Sequence, residues 1–159
     1  MTDFKIRTTT IEDTALILRF IKELAVYEKL EKECIATEAL LAENLFGKKK
    51  VAEAVIGEYK GEPVGMALFF YNFSTFLAKP GIYLEDIIVS EKHRGKGFGS
   101  ELIRYLFKRA ANEGCGRVEW AVLDWNEPAI NFYKNLGAEL MDEWTICRLS
   151  GEALQKAAE

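Results

Sequence analysis

Histidine is almost missing from this sequence: His93 is the only one in 159 residues. A histidine-rich metal site is excluded by that count, and a Ser-His-Asp triad would have only His93 to use. That residue lies in the charged run Glu91-Lys92-His93-Arg94, where a surface role is the simpler reading. Cysteine is scarce as well. Cys34, Cys115 and Cys147 form an odd, widely spaced set with no C-x-x-C pair. They argue against a disulfide framework or a cysteine zinc site and for a reducing compartment. Neither Cys34 nor Cys147 carries the flanking signature of an acyl-accepting nucleophile. Long apolar runs are missing too: the longest apolar-rich stretch, Val64 to Tyr71, is far shorter than a membrane span. The opening residues, Met1-Thr2-Asp3-Phe4-Lys5, lack the apolar segment of a secretory signal. There is no basic excess, since 21 Lys and Arg face 25 Asp and Glu for a net charge of -4. Sequence-independent nucleic-acid binding needs a clustered basic surface and is disfavoured. The expectation is a cytoplasmic protein with neither a membrane nor a nucleic-acid partner and no bound metal.

What is present is an ordinary globular composition, 49% apolar and 29% charged. The length suits a single domain spanning residues 1–159. No repeat, linker or low-complexity tract interrupts it. The hydrophobic period changes repeatedly instead, which predicts mixed α and β elements. Phe4 to Arg7 alternates as a strand. Thr10 and Asp13 resemble a capping box before an amphipathic helix over 11–27, marked by Ile17, Phe20, Ile21 and Leu24. A weaker helix is expected from Thr37 to Leu45. Strands are expected at 51–59, 64–73, 82–89 and 117–123, with a turn at Lys60 to Pro63. Helices are expected at 97–113 and 127–136, closed by Gly114 and Gly137. Two short strands at 138–142 and 144–149 precede a small helix after Gly151. The fold class is α/β, with a central mixed, mostly antiparallel sheet flanked by helices.

The most informative segment runs from Ile87 to Ser100: a strand, then Ser90 to Arg94, then a glycine cluster opening a long helix. Gly95, Gly97 and Gly99 let backbone amides approach an anion, and the helix N-terminus adds unsatisfied N–H groups and a favourable dipole. A tight turn needing positive φ is the plainer alternative. The string is not a P-loop, and as a dinucleotide fingerprint it fails at Ser100. It reads as R-x-x-G-x-G from Arg94 to Gly99.

That loop, together with the element order, resembles the GNAT family of N-acetyltransferases. Trp125-Asn126-Glu127-Pro128-Ala129-Ile130-Asn131-Phe132-Tyr133, Tyr83-Leu84-Glu85-Asp86 and Lys22 to Glu28 resemble its spermidine/spermine N-acetyltransferase branch, thialysine-acetylating relatives included. The resemblance covers about Phe4 to Leu149. It implies acetyl-CoA as co-substrate: Ile87, Ile88 and Val89 pairing with the pantetheine arm, and Gly95, Lys96, Gly97, Phe98, Gly99 and Ser100 holding the pyrophosphate with Arg94. Asn126 and Ala129 would contact the cofactor again, and Tyr133 would be the general acid. Tyr27, Glu28 and Glu85 would line the amine site, with Asp86 and Glu143 as further candidates. The resemblance, with the apolar residues Trp144, Ile146 and Leu149, also implies a homodimer.

The chemistry is consistent with these residue types. An alkylammonium has a pKa of about 10, so the nucleophile must shed a proton, and a carboxylate such as Glu85 can draw it off. Backbone N–H groups of the Ile87 to Val89 strand can stabilise a developing oxyanion. Structural readings stand beside these. Tyr133 next to Phe132 can be a core tyrosine, Tyr27 and Glu28 a solvated helix end, and Asn126 with Pro128 a helix cap. The substrate class implied is a polyamine, a diamine or a thialysine-like amino acid. A non-catalytic acetyl-CoA sensor and a protein lysine or N-terminal acetyltransferase would use the same loop.

Overall fold

A computed structural model describes residues 3–159; Met1 and Thr2, which open the polar N-terminal stretch, lie outside the described residues. The chain divides into two compact units, one running through Ala121 and one from Val122 to Glu159.

The first unit is a five-stranded sheet in chain order: β1 (Phe4–Thr8), β2 (Glu53–Tyr59), β3 (Glu62–Ser74), β4 (Lys79–Val89) and β5 (Val118–Trp120). The first three pairings are antiparallel and β4–β5 is parallel, so the sheet is mixed as expected. Lys60 and Gly61, both at positive φ, make the two-residue turn between β2 and β3. Such turns match the twist of the strands they join.

Helices pack on both faces, and the period of two decides which strand residues each one meets. On one face α1 (Thr14–Glu28) buries Ile17, Phe20 and Leu24 against Ala54, Ile56, Met66, Leu68 and Ile88. On the other, α3 (Phe98–Asn112) buries Phe98, Leu102, Ile103 and Leu106. Phe98 stacks on Phe4 with ring centroids 4.7 Å apart. Gly57 and Gly65 let α3 sit close: a Cβ on Gly65 would lie 2.7 Å from the Ile88 carbonyl and 3.2 Å from Leu102 Cδ1.

The start of α1 is set electrostatically. Asp13 accepts the Thr10 amide at 2.8 Å, and Arg7 donates to Asp13 at 2.8 and 2.9 Å and to Glu58 at 2.6 Å. The guanidinium holds the Asp13 carboxyl below the usual carboxylate range. Residues Ile11–Asp13 form a 3₁₀ turn, so α1 proper begins three residues later than the periodicity predicts. It ends where Lys29 turns left-handed at φ 62° and the Leu30 amide reaches back to the Ala25 carbonyl at 2.8 Å. The short α2 (Glu38–Leu41), with Thr37 accepting the Leu40 amide, widens into a π turn over Ala42–Phe46.

The second unit contains α4 (Glu127–Asn135) and α5 (Gly151–Ala157). Gly137 at φ 89° closes α4, with its own amide bonded to Lys134 and that of Ala138 to Tyr133, a Schellman arrangement. The strands expected at 138–142 and 144–149 do not form: residues 138–150 hold no strand. Alternation marks an extended preference, but a strand needs a partner for its N–H and C=O groups, and among the described residues this unit has no other strand. Trp144 and Ile146 are accordingly exposed. Among the described residues no helix is long and apolar enough to cross a membrane.

Candidate active site

The end of β4 is where the sheet opens. A bulge interrupts the β3–β4 ladder: Leu68 pairs with Asp86 and Phe69 with Leu84, leaving Glu85 opposite no partner. Such an insertion kinks the strand and redirects its side chains. On its other side β4 pairs with β5 only from Ile82 to Leu84. Beyond the bulge, Ile87, Ile88 and Val89 keep β3 on one edge and, among the described residues, have no strand on the other. An edge of this kind offers main-chain donors and acceptors to an extended ligand.

The edge leads directly into the glycine loop. Glu91–His93 forms a single 3₁₀ turn, and Gly95 and Gly97 follow at φ 74° and 82°. Nothing lies within 4 Å of where a Gly95 Cβ would be, so the loop presents bare backbone. Phe98 anchors the loop because it is buried as the first residue of α3. The first-turn amides of α3, through Ser100, have no intrahelical acceptors. Lys96 adds an exposed cation beside them. An open edge of main chain followed by a glycine turn and a helix N-terminus fits a pantetheine arm followed by a pyrophosphate, as in acetyl-CoA.

Two contacts tie this loop to α1. Ser90, buried, donates to Glu23 at 2.7 Å. Arg94 donates through Nε to the Val89 carbonyl at 3.0 Å, and its guanidinium lies 4.7 Å from the centroid of the Tyr27 ring. One of the backbone acceptors expected for the cofactor thus already carries a side-chain bond.

Next to this edge, on the α1 face, lies an open groove of about 470 Å³. Its polar members include Glu28, Glu33 and Asp86, and its apolar wall includes Leu24, Leu30 and Ile35. Asp86 shares the sheet face of Ile88 and therefore points toward α1. Burial, and then the charges of Glu85 and Glu28, push its carboxyl up to about 6. Burial also raises the Glu28 carboxyl. Glu85, freed by the bulge, is exposed. The structure therefore brings Glu28 and Asp86 together in one groove and puts Glu85 within electrostatic reach of Asp86.

In the second unit, Asn126 caps α4 by accepting the Ala129 amide at 3.4 Å, with Pro128 in the first turn. Asn126 and Tyr133 are each only 8% exposed, and Tyr133 packs beside Phe132 at 5.3 Å. Glu143 lies in the exposed stretch after α4.

These features have counterparts in known proteins. The family model for the acetyltransferase (GNAT) family matches residues 19–138. The chain belongs to that family. It is an N-acetyltransferase, and GNAT enzymes use acetyl-CoA as co-substrate. A thialysine N-epsilon-acetyltransferase of Bos taurus is 38% identical over 96% of this chain and 96% of its own. An L-ornithine N5-acetyltransferase of Arabidopsis thaliana is 34% identical over 95% of this chain and 86% of its own. Among solved structures, an integron cassette protein from the mobile metagenome of V. cholerae superposes with a TM-score of 0.84 at 26% identity, covering 99% of this N-acetyltransferase and 98% of its own chain.

The groove wall contributed by residues 30–45 is not foreseen from the sequence. Leu30 and Ile35 stand in a charged stretch with no helical or strand period, and Ile35 is 83% exposed. An isolated large apolar residue in a polar loop is the one signal that marks them.

Proposed function

We propose that this N-acetyltransferase acts on the primary amine of a small cationic acceptor, a diamine, a polyamine or a thialysine-like amino acid, by direct transfer within a single domain. The observation that carries the substrate reading is the pair of partly buried carboxylates, Glu28 and Asp86, in an apolar-walled groove beside the open edge of β4. A carboxylate kept from full solvation pairs with an ammonium more strongly than one in water. The apolar wall accepts the methylene or thioether chain that follows the nitrogen. Acetylation of thialysine and ornithine by the relatives supports the same class of acceptor.

When bound, acetyl-CoA supplies the acetyl group as a thioester. The chain's own residues do the rest. Ile87, Ile88 and Val89 align the arm along β4, and the amides from Gly95 through Ser100, with Arg94 and Lys96, hold the pyrophosphate. Asn126 and Ala129 at the start of α4 add a second contact. Asp86 and Glu85 receive the proton that the ammonium must lose, the half-buried Asp86 being the better placed to hold it near neutral pH. Tyr133 donates a proton to the leaving sulfur. Glu28 lines the groove, Tyr27 stands beside it in the last turn of α1, and Glu143 is a further candidate for the acceptor. In this reading the enzyme is a cytoplasmic homodimer without nucleic-acid or membrane partners.

The test is thiol release from acetyl-CoA against spermidine, spermine, putrescine, thialysine, ornithine and a lysine peptide. One small amine should give a clearly superior kcat/KM, and Tyr133→Phe should lower kcat by about 10²-fold. Turnover of the peptide alone would move the enzyme to protein substrates. Acetyl-CoA binding with no turnover of any acceptor would make the chain a sensor.

A further inference from the structure

We propose that Arg94 is a positioning residue that couples the cofactor loop to the amine groove through Tyr27. The inference rests on the proposed cofactor role of the glycine loop, and the contact that carries it is independent of that role. Arg94 touches both sides with its side chain. Its Nε bonds the Val89 carbonyl at 3.0 Å, at the end of β4, and its guanidinium lies over the ring of Tyr27 at 4.7 Å. Tyr27 precedes Glu28 in the last turn of α1, and Glu28 lines the groove with Asp86.

A guanidinium is planar, with donors left over after one bond is made and a face that stacks on an aromatic ring. With Nε committed to Val89, both terminal nitrogens remain to reach an anion in the glycine loop. An anion there holds the guanidinium plane in place, and the plane holds the Tyr27 ring. Leu30 N–Ala25 O and Ser90–Glu23 already fix the backbone on either side of this contact, so the stack sets the side-chain arrangement at the groove mouth and not the course of α1. Lysine at 94 would keep the charge but lose both the Nε bond and the flat face. By linkage, whatever the cofactor does for the ring at 27, the ring must do for the cofactor.

The test is acetyl-CoA affinity by calorimetry in a set of variants, each checked for a cooperative thermal transition. Tyr27 has no expected cofactor contact, yet Tyr27→Leu should weaken acetyl-CoA binding about threefold, the scale of a partly exposed cation–π contact. Tyr27→Phe, which keeps the ring, should bind within error of the parent. In Arg94→Gln the effect of Tyr27→Leu should vanish, since the contact is already gone. Arg94→Lys should raise the KM for thialysine. An unmoved acetyl-CoA Kd in Tyr27→Leu, or losses that simply multiply in the double variant, would overturn the coupling while leaving the transferase site intact. If Tyr27→Leu does not fold, an unchanged thialysine KM in Arg94→Lys overturns it instead. A parent protein that binds no acetyl-CoA removes one end of the link and overturns both readings.

Discussion

Asp86 is a carboxylic acid placed where its charge is disfavoured, by burial first and then by Glu85 and Glu28; Glu33 lines the same groove. Its proton is held up to about 6, against 3.8 in an unfolded chain. The folded protein therefore binds more protons than the unfolded one between those values, and stability falls as pH rises through that window. Below it both states are protonated and the penalty is absent; above about pH 6 the penalty is complete. Asp86→Asn should remove this slope, and at pH 7 should stabilise the fold by about 1–2 kcal/mol, read by chemical denaturation at pH 4 and 7. The same substitution should cost about 10²-fold in kcat/KM and abolish the acid limb of its pH profile near 6. An unchanged limb would mean that Asp86 does not carry that proton. From the sequence, Glu85 and Asp86 are equally conspicuous as two acids inside an apolar strand. What distinguishes them is the bulge, which exposes Glu85 and leaves Asp86 facing α1. A bulge depends on the partner strand and leaves no trace in the residues that carry it.

At the scale of elements, the helices are legible because their signals are local. The apolar face of α3, Leu102, Ile103, Leu106 and Ala110, is readable from spacing alone, and so is the stop at Gly137. The strands are legible only as far as partners exist: 117–123 shortens to Val118–Trp120, and 138–149 finds none. Close packing between elements is not legible either. Gly65 carries no sequence signal, yet here the Ile88 carbonyl of β4 and Leu102 of α3 leave no room for a Cβ. Gly65→Ala would press a methyl group against the Ile88 carbonyl 2.7 Å away and against Leu102. Backbone cannot yield as a side chain does, so overpacking here should destabilise by about 1–3 kcal/mol. Because Ile88 lies on the open edge of β4, the KM for acetyl-CoA should rise as well. A Gly65→Ala protein with parental denaturation midpoint and KM would mean that the sheet relaxes freely at this point.

For the whole molecule, family membership was readable from two strings, R-x-x-G-x-G and the W-N-E-P-A-I-N-F-Y run, because both encode local devices: a bare-backbone loop on a helix start and a capped helix start. Assembly is a different matter, because it depends on surfaces that only a partner completes. Trp144, Ile146 and Leu149 are 76, 74 and 53% exposed within six residues that have no strand partner in their own unit. Burying each against a second copy would contribute about 1.5–3 kcal/mol, and a self-complementary apolar patch can meet its own copy across a two-fold axis. Sedimentation at micromolar concentration should therefore give twice 18.0 kDa. Trp144→Glu, which puts a charge at the centre of that surface, should shift the mass to the monomer. If the parent itself sediments at 18.0 kDa, the exposed tryptophan and isoleucine serve no second copy.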